Sequence, residues 1–166
     1  MFGINDNNDR EQSKKSLLLR PAVQIKEIEA ILRLAIKNLF QYQPDINDFS
    51  SETGQTEWNL AHHLANEISK ILPDYSCDLD VTKKNLHNRR PDIIFHKRGN
   101  NEHNFLVIEM KRNGSDTEID DDIRKINEDW FSEPLCYSFG AVINLKGPIN
   151  SLIKVFKNHG HRGFTR

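Results

Sequence analysis

Cysteine is scarce: Cys77 and Cys136 are the two in 166 residues, and they share no metal-binding spacing. That excludes a zinc-finger or zinc-ribbon scaffold and a disulfide framework. Both cysteines fall in strand-like segments and read as buried reduced thiols, the state the cytoplasm maintains. Long apolar runs are missing too. None approaches the roughly 20 residues that cross a bilayer, and no basic-then-apolar secretory pattern opens the sequence, so the expectation is a cytoplasmic protein with no membrane partner. Net charge is −1, which excludes a global basic field. No Gly-rich loop follows a strand, which removes nucleotide hydrolysis of the P-loop type. No helix-turn-helix and no additional specificity domain is visible.

What is there suits one domain with a proper core: 37% of the residues are hydrophobic and 28% charged. Residues 1–15 are polar and aperiodic, and are expected to be disordered. Residues 16–166 form the expected single domain, with a core over about 56–145 and a basic tail over 146–166. Charge is segregated along the chain. Lys83–Arg112 carries eight Lys/Arg against three acids, Asp92, Glu102 and Glu109, whereas Asp116–Asp129 carries seven acids and two basic residues. From Lys146 onward there are five Lys/Arg and no acid. Such segregation is compatible with a phosphate-binding face and equally with solvated turns.

Apolar periodicity predicts a helix from Pro21 to about Phe40, a linker over Tyr42–Gln55, and a second helix from Thr56 that Pro73 stops. Tyr75–Lys83 alternates as an amphipathic strand. The stretch Arg89–Arg112, RRPDIIFHKRGNNEHNFLVIEMKR, holds two strand-length apolar runs joined by a polar, Gly-containing connector, a hairpin signature. A loop is expected over Asn113–Thr117 and a helix over Asp121–Phe131. An apolar strand, Leu135–Leu145, should pair parallel to the second hairpin strand, and a short helix is expected over Ile149–Phe156.

The hairpin carries charge where buried strands should not. Asp92 opens its first strand; Glu109 and Lys111 close the second. Side chains two apart on a strand share a face, so pairing Asp92 near Glu109 would gather two carboxylates and an ammonium. Like charges in such a place repel, and burial worsens the conflict. Mg²⁺, which takes carboxylate oxygens, waters and phosphate oxygens, removes it, with Mn²⁺ as a substitute. A lysine beside the ion can steady developing charge on phosphorus or orient water. The chemistry this suits is phosphodiester hydrolysis. Glu-x-Lys arises by chance about once in a chain of this size; its weight here comes from its place at the end of the most apolar strand, 17 positions after Asp92. Glu57 aligns with Ala61, Leu64, Ile68 and Ile71 on the apolar stripe of its helix. Either it serves the helix dipole in solvent or it reaches the same centre. Asp78 and Asp80 are either outer partners of the centre or the wet face of their strand. Adjacent His62 and His63 diverge by roughly 100° and cannot chelate one ion.

Pro91-Asp92 with Glu109-Met110-Lys111 resembles the signature of the PD-(D/E)XK nuclease superfamily. TEWNLAHHLANEI, CDLDVTKK, RRPDIIFHKRG, LVIEMKR, DIRKI and YSFGAVINL resemble bacterial members of that superfamily, a likeness that covers most of Pro21–Leu145. The resemblance implies an α/β fold with the restriction-endonuclease-like αβββαβ core: a central mixed four-stranded sheet flanked by helices, here with an additional N-terminal helix. It implies a Mg²⁺-dependent nuclease that leaves a 3′-hydroxyl and a 5′-phosphate, DNA being the favoured substrate. Asp92, Glu109, Glu57 and the Met110 carbonyl would hold the ion, Lys111 would position water, and Lys125 would supply a further polar group. Lys83, Arg90, Arg112 and Lys125 are the candidate contacts to nucleic acid. A homodimer and a larger defence or repair assembly are both compatible with it. So are a non-catalytic, partner-dependent binding subunit of the same fold and a Holliday-junction resolvase.

Overall fold

A computed structural model describes residues 23–46, 56–83, 88–99 and 101–160. The expectations for residues 1–15, for most of the Tyr42–Gln55 linker and for the end of the basic tail lie outside these.

Helix α1 spans Ile25–Tyr42 and α2 spans Thr56–Ile71. Strands β1 (Ser76–Leu79), β2 (Ile93–His96) and β3 (Asn104–Arg112) follow, then helix α3 (Asp116–Lys125), which widens into one π-helical turn over Ile126–Trp130. Strands β4 (Phe139–Leu145) and β5 (Leu152–Lys157) complete the sheet. Its order is β1-β2-β3-β4-β5, with every pair antiparallel except β3–β4. The expected hairpin and the parallel β3–β4 pair, crossed over by α3, are therefore present in an α/β structure.

The sheet separates two apolar layers. Ile93, Phe95, Leu106, Ile108, Met110, Ala141 and Ile143 face α1 and α2, meeting Ile28, Leu32, Leu39, Leu60, Leu64 and Ile68. The alternate residues Ile94, Val107 and Val142 face the α3 side, with Ile119, Ile126, Trp130 and Tyr137. Strand β4 is buried along its whole length, as its near-continuous hydrophobic run requires. Gly140 permits a close approach on this side, because a Cβ there would stand 2.4 Å from Ile126 Cγ2.

Several expectations need correction. Among the described residues the sheet has five strands, not four. The segment expected to form a short helix, and counted with the basic tail, holds β5, which covers the outer edge of β4. An apolar strand left with a bare edge is an aggregation hazard, and pairing removes it. Strand β1 stops at Leu79 because Asp80 adopts φ = 50°. The turn flips the chain, so Val81 packs in the α3 layer, opposite Cys77 and Leu79. Helix α3 starts at Asp116, five residues before its expected start, because Ser115 and Glu118 form a reciprocal capping box. Cys136 lies in a turn at φ = 45° rather than in a strand, and both cysteines are free and half-buried. Among the described residues no helix is long and apolar enough to cross a membrane.

Candidate active site

Ile93 pairs with Ile108 across the hairpin, and one step further along sets Asp92 opposite Glu109. Both carboxylates rise from the α3 face of the sheet, as does Lys111, two residues beyond Glu109. The backbone N–H of Met110 donates to Asp92 Oδ2 at 2.6 Å. Glu109, only 3% exposed, accepts the indole N–H of Trp130 at 2.7 Å. The π-helical turn puts Trp130 there.

Lys111 links the hairpin to two helices. Its Nζ lies 3.2 Å from Glu57 Oε1 in the first turn of α2 and 3.5 Å from Asp122 Oδ2 on α3, and it donates to the Met110 carbonyl at 3.4 Å. Glu57 also accepts the backbone N–H of Arg112, at 3.3 Å. Of the two readings open for Glu57, the reach toward this cluster is the one its hydrogen bonds follow.

Asp122 was not anticipated. It is wholly buried and accepts Lys125 Nζ at 2.6 Å, while its Oδ2 receives no hydrogen bond among the described residues. Its spacing from Ile119 and Ile126 put an acid on the apolar stripe of the helix, and that was the missed signal. Asn144 was missed as well. Buried on β4 beside Lys111, it accepts from Gly114 N at 2.9 Å and donates to Gly114 O at 2.8 Å, pinning the turn that follows β3.

The electrostatics follow from burial and crowding. Burial is the main cause raising Asp92 from its usual 3.8 to about 6, against the Met110 hydrogen bond and the Lys111 charge. Burial, then the neighbouring Asp92 charge, raises Glu109 from 4.5 to about 8. Burial works against the ammonium of Lys111, but Asp122, Glu57 and Asp92 overcome it and hold the proton more firmly than usual. Lys125 is raised in the same way, chiefly by Asp122.

Two hollows flank the cluster. One of about 210 Å³ is lined by Glu57, Trp58, Ala61, Asp80 and Asp92. The other, about 180 Å³, is rimmed by Lys111, Asp122, Lys125 and Arg89, among other charged residues.

Asp92, Glu109, Lys111, Glu57 and Lys125 are thus brought together. Their side chains are taken up by the hydrogen bonds above, and among the described residues no three His, Cys, Asp or Glu stand as a ready-made ligand set. The other candidates scatter. Arg90 pairs with Asp80 at 3.0 Å at the edge of the first hollow. Arg112 meets the cluster through its backbone. Lys83 bridges to Arg89 and is half-buried, which lowers its pKa. Asp78 is bound to His96, at 2.7 Å, and to Arg98, on the strands' face but away from Lys111. Comparison with protein-family models, with curated proteins and with solved structures finds no match to this chain.

Proposed function

We propose that the chain is a metal-dependent nuclease that hydrolyses phosphodiester bonds, DNA more readily than RNA, on a restriction-endonuclease-like fold. The observation that carries this reading is the pairing of the half-buried carboxylate of Asp92, just before β2, with the buried carboxylate of Glu109 on β3, beside the ammonium of Lys111. Buried acids with raised pKa values are unfavourable as anions unless a cation joins them. The donor set is all oxygen, which suits Mg²⁺ or Mn²⁺. Asp92, Glu109, the Met110 carbonyl and Glu57 would hold the ion, Glu57 exchanging its bond to Lys111 for it. Such an ion supplies Lewis-acid polarisation of the phosphate and acidification of water.

The chain's own residues do the rest. Lys111, firmly protonated, stabilises negative charge growing on the phosphoryl oxygens and orients the attacking water. Asp122 keeps Lys111 charged and aimed. Trp130 and Met110 N fix the two carboxylates, so little rearrangement is left to the reaction step. The αβββα order leading into a parallel strand, with Asp92 just before β2 and Glu109 within β3, supports the fold assignment; β5 is an addition to that core.

The test is plasmid and oligonucleotide digestion with Mg²⁺ or Mn²⁺. Asp92→Asn and Lys111→Ala should each abolish cleavage while leaving the circular dichroism spectrum unchanged. Cleavage by either variant at the parent's rate refutes the assignment.

A further inference from the structure

The first hollow has a wall the proposed chemistry does not use. Trp58 follows Glu57 on α2 and lines the same hollow as Glu57 and Asp92. It is 60% exposed, whereas Trp130 is buried on Glu109. One turn on, the ring of His62 lies near-parallel to it, with centroids 6.0 Å apart and planes at 18°. A large rigid ring thus stands open beside the carboxylates. The acids around it, Glu57, Asp80 and Asp92, disfavour an anion against this wall. A neutral planar group meets no such penalty. The phosphate of the same nucleotide would then turn to the other side, where Lys111 lies.

We infer that Trp58 is a stacking platform for one unpaired nucleobase, and that the substrate class is accordingly single-stranded or frayed nucleic acid rather than intact duplex. The inference rests on the nuclease reading for the placement of the phosphate. Base–aromatic stacking is tolerant of sequence, because every base has a π-face. A base inside a duplex is already stacked on its neighbours and must be unstacked before Trp58 can reach it, which costs binding energy. The hollow, about 210 Å³, is on the scale of one nucleobase.

The experiment is tryptophan fluorescence and anisotropy titration of the full chain, in Ca²⁺ and separately in EDTA. The probes are a 12-residue oligothymidylate, an oligouridylate of equal length and a 12-base-pair duplex. The expected result is quenching of the exposed-tryptophan emission by the single strands. Trp58→Ala should weaken single-strand binding about tenfold or more and duplex binding by less than about twofold. Trp58→Phe should retain most of the affinity, and carries the test should the alanine variant not fold. Equal single-strand affinity for parent and Trp58→Ala, or a duplex that quenches as strongly as the single strands, overturns the inference, as does failure of every probe to bind. Binding is read without cleavage, so the two ideas fail separately. Quenching by a chain that never cleaves leaves the platform standing and removes the nuclease. Cleavage indifferent to Trp58 does the reverse. The thymidylate and uridylate arms separate DNA from RNA.

Discussion

Replacing Glu109 by Gln keeps the shape of the side chain and an oxygen for the Trp130 indole, but removes the charge. In the folded parent this carboxyl titrates at about 8, against 4.5 as usual. The folded state therefore binds the proton more tightly than the unfolded chain throughout that window, and the contribution of Glu109 to stability falls as pH rises from 4.5 to 8. Integrating between pH 5 and pH 8 gives a loss of roughly 3–4 kcal/mol. For a chain of this size each kcal/mol is worth roughly 2–4 °C in Tm, so the parent should lose about 10 °C relative to the variant over the range. Asp92, raised to about 6, acts in the same direction below that pH and is common to both proteins, as are the other titrating groups; the comparison cancels them. The assay is thermal unfolding in EDTA at half-unit pH steps, and the quantity read is the difference in Tm between the two proteins. A difference independent of pH, or one that favours the parent increasingly as pH rises, refutes the argument that burial and Asp92 hold this acid neutral.

Gly140→Ala forces a Cβ to within 2.4 Å of Ile126 and should cost about 1–3 kcal/mol, read as a lower urea midpoint, together with a shift of the Trp130 emission. Gly114→Ala places a Cβ 2.7 Å from Lys111 Cβ; it should cut cleavage severalfold while moving Tm by only a few degrees, and an unchanged rate would show that the position of Lys111 is not critical. Asp122→Asn leaves Lys125 and Lys111 facing an amide, which should lower the pKa of Lys111 and shift the alkaline limb of the pH–rate profile downward. Asn144→Ala removes both bonds to Gly114 and should destabilise by about 2 kcal/mol, seen in chemical denaturation.

How much of this was legible follows from what local pattern encodes. The hairpin, the parallel β4 and the apolar stripes of α1 and α2 are written as periodicity, and the centre on β2 and β3 follows from two-residue alternation once the hairpin is in register. Asp80 shows where pattern ends. Alternation over 75–83 continues through a residue whose left-handed backbone turns the strand over, and no periodicity records that. The segment LIKVFK fits a short helix or a strand equally well by itself; what selects β5 is the open edge of β4, a tertiary fact. The start of α3 was legible and overlooked, since Ser115-x-x-Glu118 is a capping box in sequence. Asp122 was legible in the same way, as an acid on the apolar stripe of its helix. Asn144 was hidden for a different reason: it is a buried polar residue whose partner, Gly114, is distant along the chain.

The charges of the centre make a final argument. Glu57, Asp92, Glu109 and Asp122 are four carboxylates, and Lys111 and Lys125 are two ammonium groups, so full ionisation leaves −2. One divalent cation cancels that charge. Without it protons meet part of the same imbalance: Asp92 and Glu109, raised first by burial and then by neighbouring acids, are the ones held above their usual range. Binding of the ion must then expel whatever protons remain. At pH 7 Asp92 is mostly ionised and Glu109 mostly protonated, so uptake of Mn²⁺ should release close to one proton. At pH 5 it should release nearly two and be correspondingly weaker, and at pH 9 almost none. Calorimetric titration with Mn²⁺ in two buffers of different ionisation enthalpy measures that number directly. Glu109→Gln should abolish the proton released at pH 7, and Asp92→Asn should not. Release that does not vary with pH in the parent, or that survives Glu109→Gln, would mean the ion is held by other groups and that the acids on β2 and β3 are not its site.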